Sequence, residues 1–364
     1  MKHRLATLIA GLTLLLPLPA LAADLDVMIG QMLMAGFRGY TAAPDSRIAR
    51  DIRDHHLGGV VLFDYDVALG KAERNIRNPE QVKALNESLQ SYAATPLFIG
   101  VDQEGGKVQR LKKASGFHET PSALAICTSG EFKVRMAAYM VGSTCAANGF
   151  NLDFAPVADV NVNPDSPAIG RLERSFSDDP EKVTRCAEIY MGELKRSGAL
   201  SCLKHFPGHG SAGTDSHEGL TDVTDTWTEA ELIPYRELIG RGLPTMIMTA
   251  HIFNANLDPK YPATLSHKVI TGLLRDKLGY DGVVVTDDMT MGAITEFYGR
   301  DQAIRLAILA GADILLFGNN LAYDEEIVGK AHAAIRRMVD EGTIPQTRIE
   351  QSYQRIMKLK ATLN

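Results

Sequence analysis

Eight short apolar runs recur along the chain, and the longer segments between them carry apolar residues at helical spacing. Runs that are apolar on consecutive residues, such as Gly-Val-Val-Val-Thr at 282–286, are typical of strands buried on both faces in helix-covered parallel sheets. The predicted strands are 28–37, 57–63, 97–101, 150–157, 199–203, 245–249, 282–286 and 314–317. Eight strand–helix alternations predict an α/β fold, a (β/α)8 TIM-type barrel in a single domain.

The predicted helices also bear on the topology. They cover 45–56, 79–92, 131–148, 180–197, 229–241, 266–278 and 300–310, with two amphipathic helices, 324–338 and 347–363, closing the barrel. An open doubly wound sheet is the alternative, but it would usually carry a Gly-rich phosphate loop after an early strand. Gly105-Gly106 lacks that spacing. Because the sequence has no linker and no internal repeat, we expect one domain over residues 23–364.

The first 22 residues have the pattern of a signal peptide. Lys2 and Arg4 precede an almost wholly apolar stretch, and Ala20-Leu21-Ala22 supplies the small residues of a cleavage site. An N-terminal anchor helix is the alternative, although the stretch is shorter than the ~20 residues a bilayer requires. No Cys follows the cleavage site, so we expect neither a lipid anchor nor another membrane anchor. The predicted product is exported, either periplasmic or secreted, and soluble.

The charge balance bears on partners. The chain has 38 basic and 44 acidic residues, and removal of Lys2 and Arg4 with the signal peptide leaves 36 and 44, a net charge of −8. An acidic chain without a basic run is a poor ligand for phosphate backbones. We therefore expect no nucleic-acid partner, and we expect a monomer.

Four cysteines remain after the predicted cleavage, Cys127, Cys145, Cys186 and Cys202. No C-x-x-C pair or Cys/His metal spacing is present. Four buried thiols are our first expectation, and one structural disulfide is the alternative. Export makes disulfides possible, and four cysteines can be paired completely in three ways.

Polar side chains follow five successive predicted strands. In a barrel of this kind the chemistry collects at the C-terminal strand ends. The polar residues there are Asp102 and Glu104, then Asp159, then Lys204 and His205, then His251, and finally Asp287 and Asp288. One such residue is most simply a solvated charge or a core histidine. A set repeated over five strands predicts a functional site.

Metal-assisted hydrolysis is one chemistry for this set. His205 and His209 are four residues apart, but Pro207 and Gly208 between them disfavour a helix that would align them on one face. Side chains available to complete such a metal site are Asp215, His217, His251 and Asp287.

Glycosyl transfer is the other chemistry, and it needs a carboxylate below the anomeric carbon and a proton donor beside the leaving oxygen. Asp287, at a strand end, is a rigidly held carboxylate. His217 lies just past the glycine-rich stretch 208–213, with Asp215 two residues before it to orient and stabilise a protonated imidazole.

Several long motifs resemble those of the glycoside hydrolase family 3 β-N-acetylglucosaminidases. The most specific is Lys-His-Phe-Pro-Gly-His-Gly at 204–210, followed by Asp-Ser-His at 215–217. The stretches 101–110, 169–176, 262–266 and 286–289 also match the family in order. The resemblance covers nearly the whole chain after residue 22.

The resemblance implies a role for individual residues. Asp287 matches the family's nucleophile, with the adjacent Asp288 as competitor, and strand alternation predicts that only one of them faces the site. His217 matches the general acid/base, with Asp215 as its partner. Residues expected to bind the sugar are Asp102, Arg110, Arg174, Lys204 and His205, with Arg171 as the alternative to Arg174.

The resemblance further implies an exo-acting, retaining β-N-acetylglucosaminidase that uses no metal or other cofactor. Many family 3 β-glucosidases carry a second domain with an acid/base glutamate, whereas this sequence matches the single-domain subgroup with a histidine. We therefore expect an oligosaccharide substrate containing N-acetylglucosamine, derived from peptidoglycan or chitin and met outside the cytosol. A phosphorylase, with phosphate replacing water, and a catalytically silent sugar-binding barrel are the alternatives.

Overall fold

The structure is a computed structural model that describes residues 23–216, 219 and 221–363. The predicted signal peptide, residues 1–22, lies outside the described residues. So do His217, Glu218, Leu220 and Asn364.

Eight parallel strands form the centre of the fold. They are β1 Leu33–Gly36, β2 Gly59–Val61, β3 Phe98–Val101, β4 Leu152–Asp153, β5 Leu200–Phe206, β6 Met246–Thr249, β7 Val283–Val285 and β8 Leu315–Phe317. Each strand pairs with its sequence neighbour, and β1 also pairs with β8. A parallel bridge between Val285 and Ile314 joins β7 to the start of β8 and closes the barrel. The predicted (β/α)8 barrel is confirmed.

Helices surround the sheet. They are α1 Leu25–Gln31, α2 Arg47–Asp54, α3 Pro79–Ser91, α4 Ala123–Thr128, α5 Glu131–Ala147, α6 Pro180–Arg196, α7 Ile233–Gly240, α8 Gly292–Thr295, α9 Arg300–Ala310, α10 Ile327–Asp340 and α11 Gln346–Lys360. A π-helix, Lys268–Lys277, lies between β6 and β7. Four single-turn 3₁₀ helices cover Lys113–Ser115, Gly170–Leu172, Glu229–Leu232 and Ala263–Leu265.

Local sequence explains where the best-predicted helices begin. Helices α3 and α6 start at Pro79 and Pro180, whose missing N–H groups are not needed in a first turn. The preceding Asn78 and Asp179 accept hydrogen bonds from backbone N–H groups of that turn. Both helices therefore begin at the predicted residue, and each ends one residue before its predicted end.

Two predicted strands are wrong in part. The run 28–37 forms α1 and then the shorter β1, because Asp24 caps a helix at its start and an apolar run alone does not separate a buried helix from a strand. The run 150–157 forms a continuous strand only over Leu152–Asp153, and Val157 makes an isolated parallel bridge with Lys204. Pro156 has no N–H to donate to a neighbouring strand, which limits its extension.

The expectation of four buried thiols is wrong, because two of the four cysteines form a disulfide. Cys127, at the end of α4, forms a disulfide with Cys186 of α6, with Cα atoms 6.1 Å apart. Cys145 and Cys202 are buried free thiols. The bond joins two helices on the outside of the barrel, 59 residues apart in sequence.

Candidate active site

A cavity of about 200 Å³ opens at the C-terminal end of the barrel strands. Seven residues predicted to catalyse or to bind the sugar line it, namely Asp102, Arg110, Arg174, Lys204, His205, Asp215 and Asp287. The other strand-end candidates Glu104, Asp159 and His251 do not line it. His217 lies outside the described residues. Arg171 is exposed and does not line the cavity, which favours Arg174 in the predicted pair.

A chain of ion pairs forms one wall of the cavity. Lys204 Nζ lies 2.8 Å from Asp102 Oδ1 and 2.7 Å from Glu104 Oε1. Arg174 binds the same Glu104 through two nitrogens, Nη2 at 2.7 Å and Nε at 2.8 Å. Arg110 Nη2 is 3.4 Å from Asp102 Oδ2. Asp102, Arg110, Arg174 and Lys204 therefore present one acceptor and three donors to the cavity, while the buried Glu104 pairs with two of these cations.

The ion pairs fix the charges of this wall. Burial alone would raise the pKa of Glu104, but the charges of Arg174 and Lys204 outweigh it and lower the pKa to about 2. Burial likewise opposes ionisation of Asp102, and Lys204 and Arg110 hold the pKa of that carboxyl below its ordinary value. For Lys204, burial is outweighed by the two carboxylates, which raise the pKa of the ammonium. All three groups therefore stay charged near neutral pH.

His205 is oriented from behind by a buried carboxylate. Asp159, with no exposed surface, has Oδ2 2.7 Å from His205 Nδ1, and its Oδ1 accepts hydrogen bonds from the backbone N–H groups of His205 and His209. Because an ionised carboxylate only accepts, His205 Nδ1 carries the proton. Arg174 Nη2, which can only donate, lies 3.3 Å from Nε2, so Nε2 is the acceptor in that contact.

Two adjacent carboxylates lie past the end of β7, and they differ in their contacts. Asp288 Oδ1 accepts hydrogen bonds from Thr290 N, Thr290 Oγ1 and Gly318 N at 2.7 to 2.9 Å. Asp287 Oδ1 accepts from the Asp288 backbone N–H at 2.8 Å. Both line the cavity, so the prediction that only one faces the site is wrong. Alternation holds within an extended strand, and β7 ends at Val285, before either residue.

The loop after β5 is held at two points. Gly210 N donates to Glu231 Oε2 at 2.8 Å, and burial raises the pKa of Glu231 to about 7. Farther along, His209 Nε2 lies 3.2 Å from Ser216 Oγ, next to Asp215. The described part of the Asp-Ser-His stretch is thereby placed at the cavity.

The histidines that the structure describes do not gather as metal ligands. His251 lies beneath the site, where its ring nitrogens lie 2.8 Å from Thr264 Oγ1 and 3.0 Å from the carbonyl oxygen of Asp288. Asp159 accepts from His205 Nδ1, and the rings of His205 and His209 meet edge to face at 5.9 Å. Within 23–216, 219 and 221–363, no three His, Cys, Asp or Glu side chains are arranged to hold a metal ion.

Sequence reasoning assigned no role to two carboxylates that build the site. Glu104 pairs with two predicted sugar-binding cations, and Asp159 orients a third predicted residue, His205. The sequence feature that could have identified Glu104 as a site residue is its position two residues after Asp102. Side chains two residues apart in extended backbone point to the same side. Asp159 carried only the general signal of a polar residue after a strand, and its contact with His205 spans 46 positions in sequence.

Known proteins match this chain over most of its length. Residues 24–359 match the model of the glycosyl hydrolase family 3 N terminal domain. The chain is 34% identical over 374 residues to beta-hexosaminidase A of Pseudoalteromonas piscicida, covering 92% of this chain and 61% of that protein. It is 33% identical to an uncharacterized secreted glycosyl hydrolase of Arthroderma benhamiae, covering 95% and 96% of the two chains.

A solved structure is similar across nearly the whole chain. It is that of a family 3 beta-N-acetylglucosaminidase from a Paenibacillus species, with 38% sequence identity and a TM-score of 0.85. The match covers 94% of this chain and 63% of that one. This chain thus spans less than two thirds of the length of that protein and of the Pseudoalteromonas relative.

Proposed function

This chain belongs to glycosyl hydrolase family 3, and from that membership we propose that it is an exo-acting, retaining β-N-acetylglucosaminidase. It removes a terminal, β-linked N-acetylglucosamine from the non-reducing end of an oligosaccharide. The observation that carries the proposal is the cavity wall of Asp102, Lys204 and Arg174, which faces a space shared with Asp287. Relatives named as hexosaminidases and an N-acetylglucosaminidase support the same sugar.

Asp287 is the nucleophile in this proposal. It attacks the anomeric carbon and forms a glycosyl-enzyme ester while the leaving oxygen departs, and water then hydrolyses the ester. The three hydrogen bonds on Asp288 Oδ1 support this choice, because they hold that carboxylate as part of the backbone framework around Gly318. The strand end behind Asp287 keeps its carboxylate in one place.

His217 is the proposed general acid/base, with Asp215 as its partner. The motif 215–217 supports this assignment, together with the position of Asp215 on the cavity wall. An imidazole has a reference pKa of about 6.5, so near neutral pH it can donate a proton to the leaving oxygen and recover one from water. No metal takes part in the proposed reaction.

The subsite for the terminal sugar is the proposed role of the ion-pair wall. Asp102 accepts hydrogen bonds from sugar hydroxyls, and Lys204, Arg110 and Arg174 donate to sugar oxygens. His205 Nε2 accepts a hydrogen bond from a sugar hydroxyl, in an orientation that Asp159 fixes through Nδ1. Because these groups are already paired in ordered positions, little side-chain entropy is lost when the sugar binds.

The substrate is met outside the cytosol in this proposal, as peptidoglycan fragments or chitin-type oligosaccharides. Residues 1–22 act as the signal peptide, and 23–364 form the catalytic domain. The Cys127–Cys186 disulfide supports an oxidising compartment. None of the described helices is both long and apolar enough to cross a membrane.

A direct assay tests the function. The mature protein is incubated with an aryl β-N-acetylglucosaminide and an aryl β-glucoside, each with and without phosphate, and the released sugar is identified. We expect free N-acetylglucosamine from the first substrate, with little effect of phosphate. Release of a sugar phosphate only when phosphate is present would favour the phosphorylase. No release of sugar from either substrate would favour a catalytically silent sugar-binding barrel.

The acid/base role predicts a dependence on the leaving group. His217→Ala should lower kcat/KM by about 10² to 10⁴-fold for a methoxyphenyl N-acetylglucosaminide, whose poor leaving group needs a proton. A dinitrophenyl substrate, whose leaving group departs as an anion, should lose far less. Stopped-flow measurements of phenol release give the loss of kcat/KM on each substrate, and the ratio of the two losses is the test. His267→Ala, at an exposed position, is the control. Equal losses on both substrates would contradict the acid role.

A further inference from the structure

We propose that His209 is a positioning residue, which holds the Asp215–Ser216 segment against the cavity through its hydrogen bond with Ser216 Oγ. The inference rests on the proposed function, because the residue it serves is the acid/base assigned to the Asp-Ser-His motif. It gives a role to the second histidine of the motif 204–210, which the proposed mechanism otherwise leaves unused.

His209 is itself held rigidly. Its backbone N–H donates to Asp159 Oδ1 at 2.8 Å, and its ring packs edge to face against that of His205. The residue is 3% exposed, and it lines the cavity. The same carboxylate that orients His205 therefore also fixes the start of the loop after β5, so the sugar-binding wall and the loop share one anchor.

Ser216 connects this anchor to the far side of the site. Its side chain is buried, with Oγ 3.2 Å from His209 Nε2. Its carbonyl oxygen accepts a hydrogen bond from Ala293 N at 3.3 Å, in the short helix α8 that follows the nucleophile strand. Ser216 thus lies between the loops after β5 and β7, and both of its contacts fix the backbone next to Asp215.

The chemistry of His209 suits a structural hydrogen bond better than proton transfer. Burial lowers the pKa of the ring to about 4, so the imidazole is neutral at the pH where the proposed acid works. A neutral ring and a hydroxyl can each donate or accept, so the pair forms with either tautomer. The charged or titratable groups that act on the ring within the described part of the chain are Asp159, His205 and Arg174.

Four variants separate a positioning role from a general effect on stability. Ser216→Ala and His209→Phe each remove one partner of the hydrogen bond, and the double variant removes both. Each single variant should lower kcat/KM for the methoxyphenyl substrate by about fivefold to tenfold, with a smaller effect on the dinitrophenyl substrate. If the two residues act through one bond, the double variant should lose little more than a single one. Ser216→Thr, which keeps a hydroxyl, should restore most of the loss.

Thr214→Val is the matched control. It removes another hydroxyl of the same loop, whose hydrogen bond goes to Thr221 instead of His209, and we expect less than about a twofold change on either substrate. Equal losses on both substrates, or multiplicative effects in the double variant, would overturn the positioning role. These outcomes are distinct from failure of the proposed function, in which the unmodified protein would release no N-acetylglucosamine.

Discussion

Asp287→Asn should lower kcat/KM by on the order of 10⁴-fold or more on both aryl substrates, because removing a covalent nucleophile abolishes the main reaction path. The amide keeps the size and one acceptor oxygen of the side chain, so the hydrogen bond from the Asp288 N–H can persist. We therefore expect the Tm and the circular dichroism spectrum to stay close to those of the unmodified protein. Steady-state release of the phenol measures the loss.

The adjacent carboxylate provides the matched control. Asp288→Asn can keep the three hydrogen bonds to its Oδ1, from Thr290 N, Thr290 Oγ1 and Gly318 N, through the amide oxygen. It should retain a far larger share of turnover than Asp287→Asn. The reverse order of activities would assign the nucleophile to Asp288 and contradict the proposed mechanism.

Glu104→Gln should destabilise the protein by about 3 to 5 kcal/mol, because it leaves buried cations without their shared carboxylate. Lys204 and Arg174 both contact Glu104, and the side chains of Glu104 and Lys204 are 3% and 2% exposed. The amide nitrogen of Gln would also face these donors. Urea unfolding measures the change, and KM for both substrates should rise equally because Lys204 and Arg174, which we propose bind the sugar, lose their fixed positions.

A buried glutamate elsewhere serves as control for this change. Glu193 is buried to a similar degree and binds Arg135 and Arg196, but those two side chains are 47% and 72% exposed. Glu193→Gln should cost less than about 1 kcal/mol, because solvent screens and hydrates the remaining charges. Similar losses in the free energy of unfolding for Glu104→Gln and Glu193→Gln would contradict the view that the ion pairs of Glu104 are shielded from solvent.

The lowered pKa of Glu104 determines how its contribution to the free energy of unfolding changes with pH. Glu104 ionises more readily in the folded protein, with a pKa of about 2 against an ordinary value of 4.5. Its contribution to the free energy of unfolding is therefore complete above about pH 4.5 and is lost as the pH falls toward 2. The difference between the unmodified protein and Glu104→Gln should shrink over that window.

The barrel was predictable because its strands are buried on both faces. Consecutive apolar residues such as Val283, Val284 and Val285 carry that signal without help from distant contacts. Where an apolar run includes a helix, as before β1, the pattern is ambiguous and the cap at Asp24 decides the outcome. The boundaries that failed are the start of β1, which follows the helix capped by Asp24, and the end of β4, which precedes Pro156.

The site was predictable as a set of side chains but not as a network. The barrel rule and the family motifs identified the residues that line the cavity, since strand ends converge at one face. The pairing of Glu104 with Arg174 spans 70 positions, and that of Cys127 with Cys186 spans 59. Such pairings depend on three-dimensional distances that spacing in one sequence does not encode.

The most direct test of the central claim is to locate the covalent intermediate. His217→Ala is incubated with a dinitrophenyl β-N-acetylglucosaminide, quenched with acid, digested and mapped by mass spectrometry. Without its acid/base, hydrolysis of the ester should be slow enough for the intermediate to accumulate. We predict one N-acetylglucosaminyl group on the carboxylate of Asp287, and none when Asp287→Asn is added. Release of the phenol with no adduct, or an adduct on Asp288, would contradict the account.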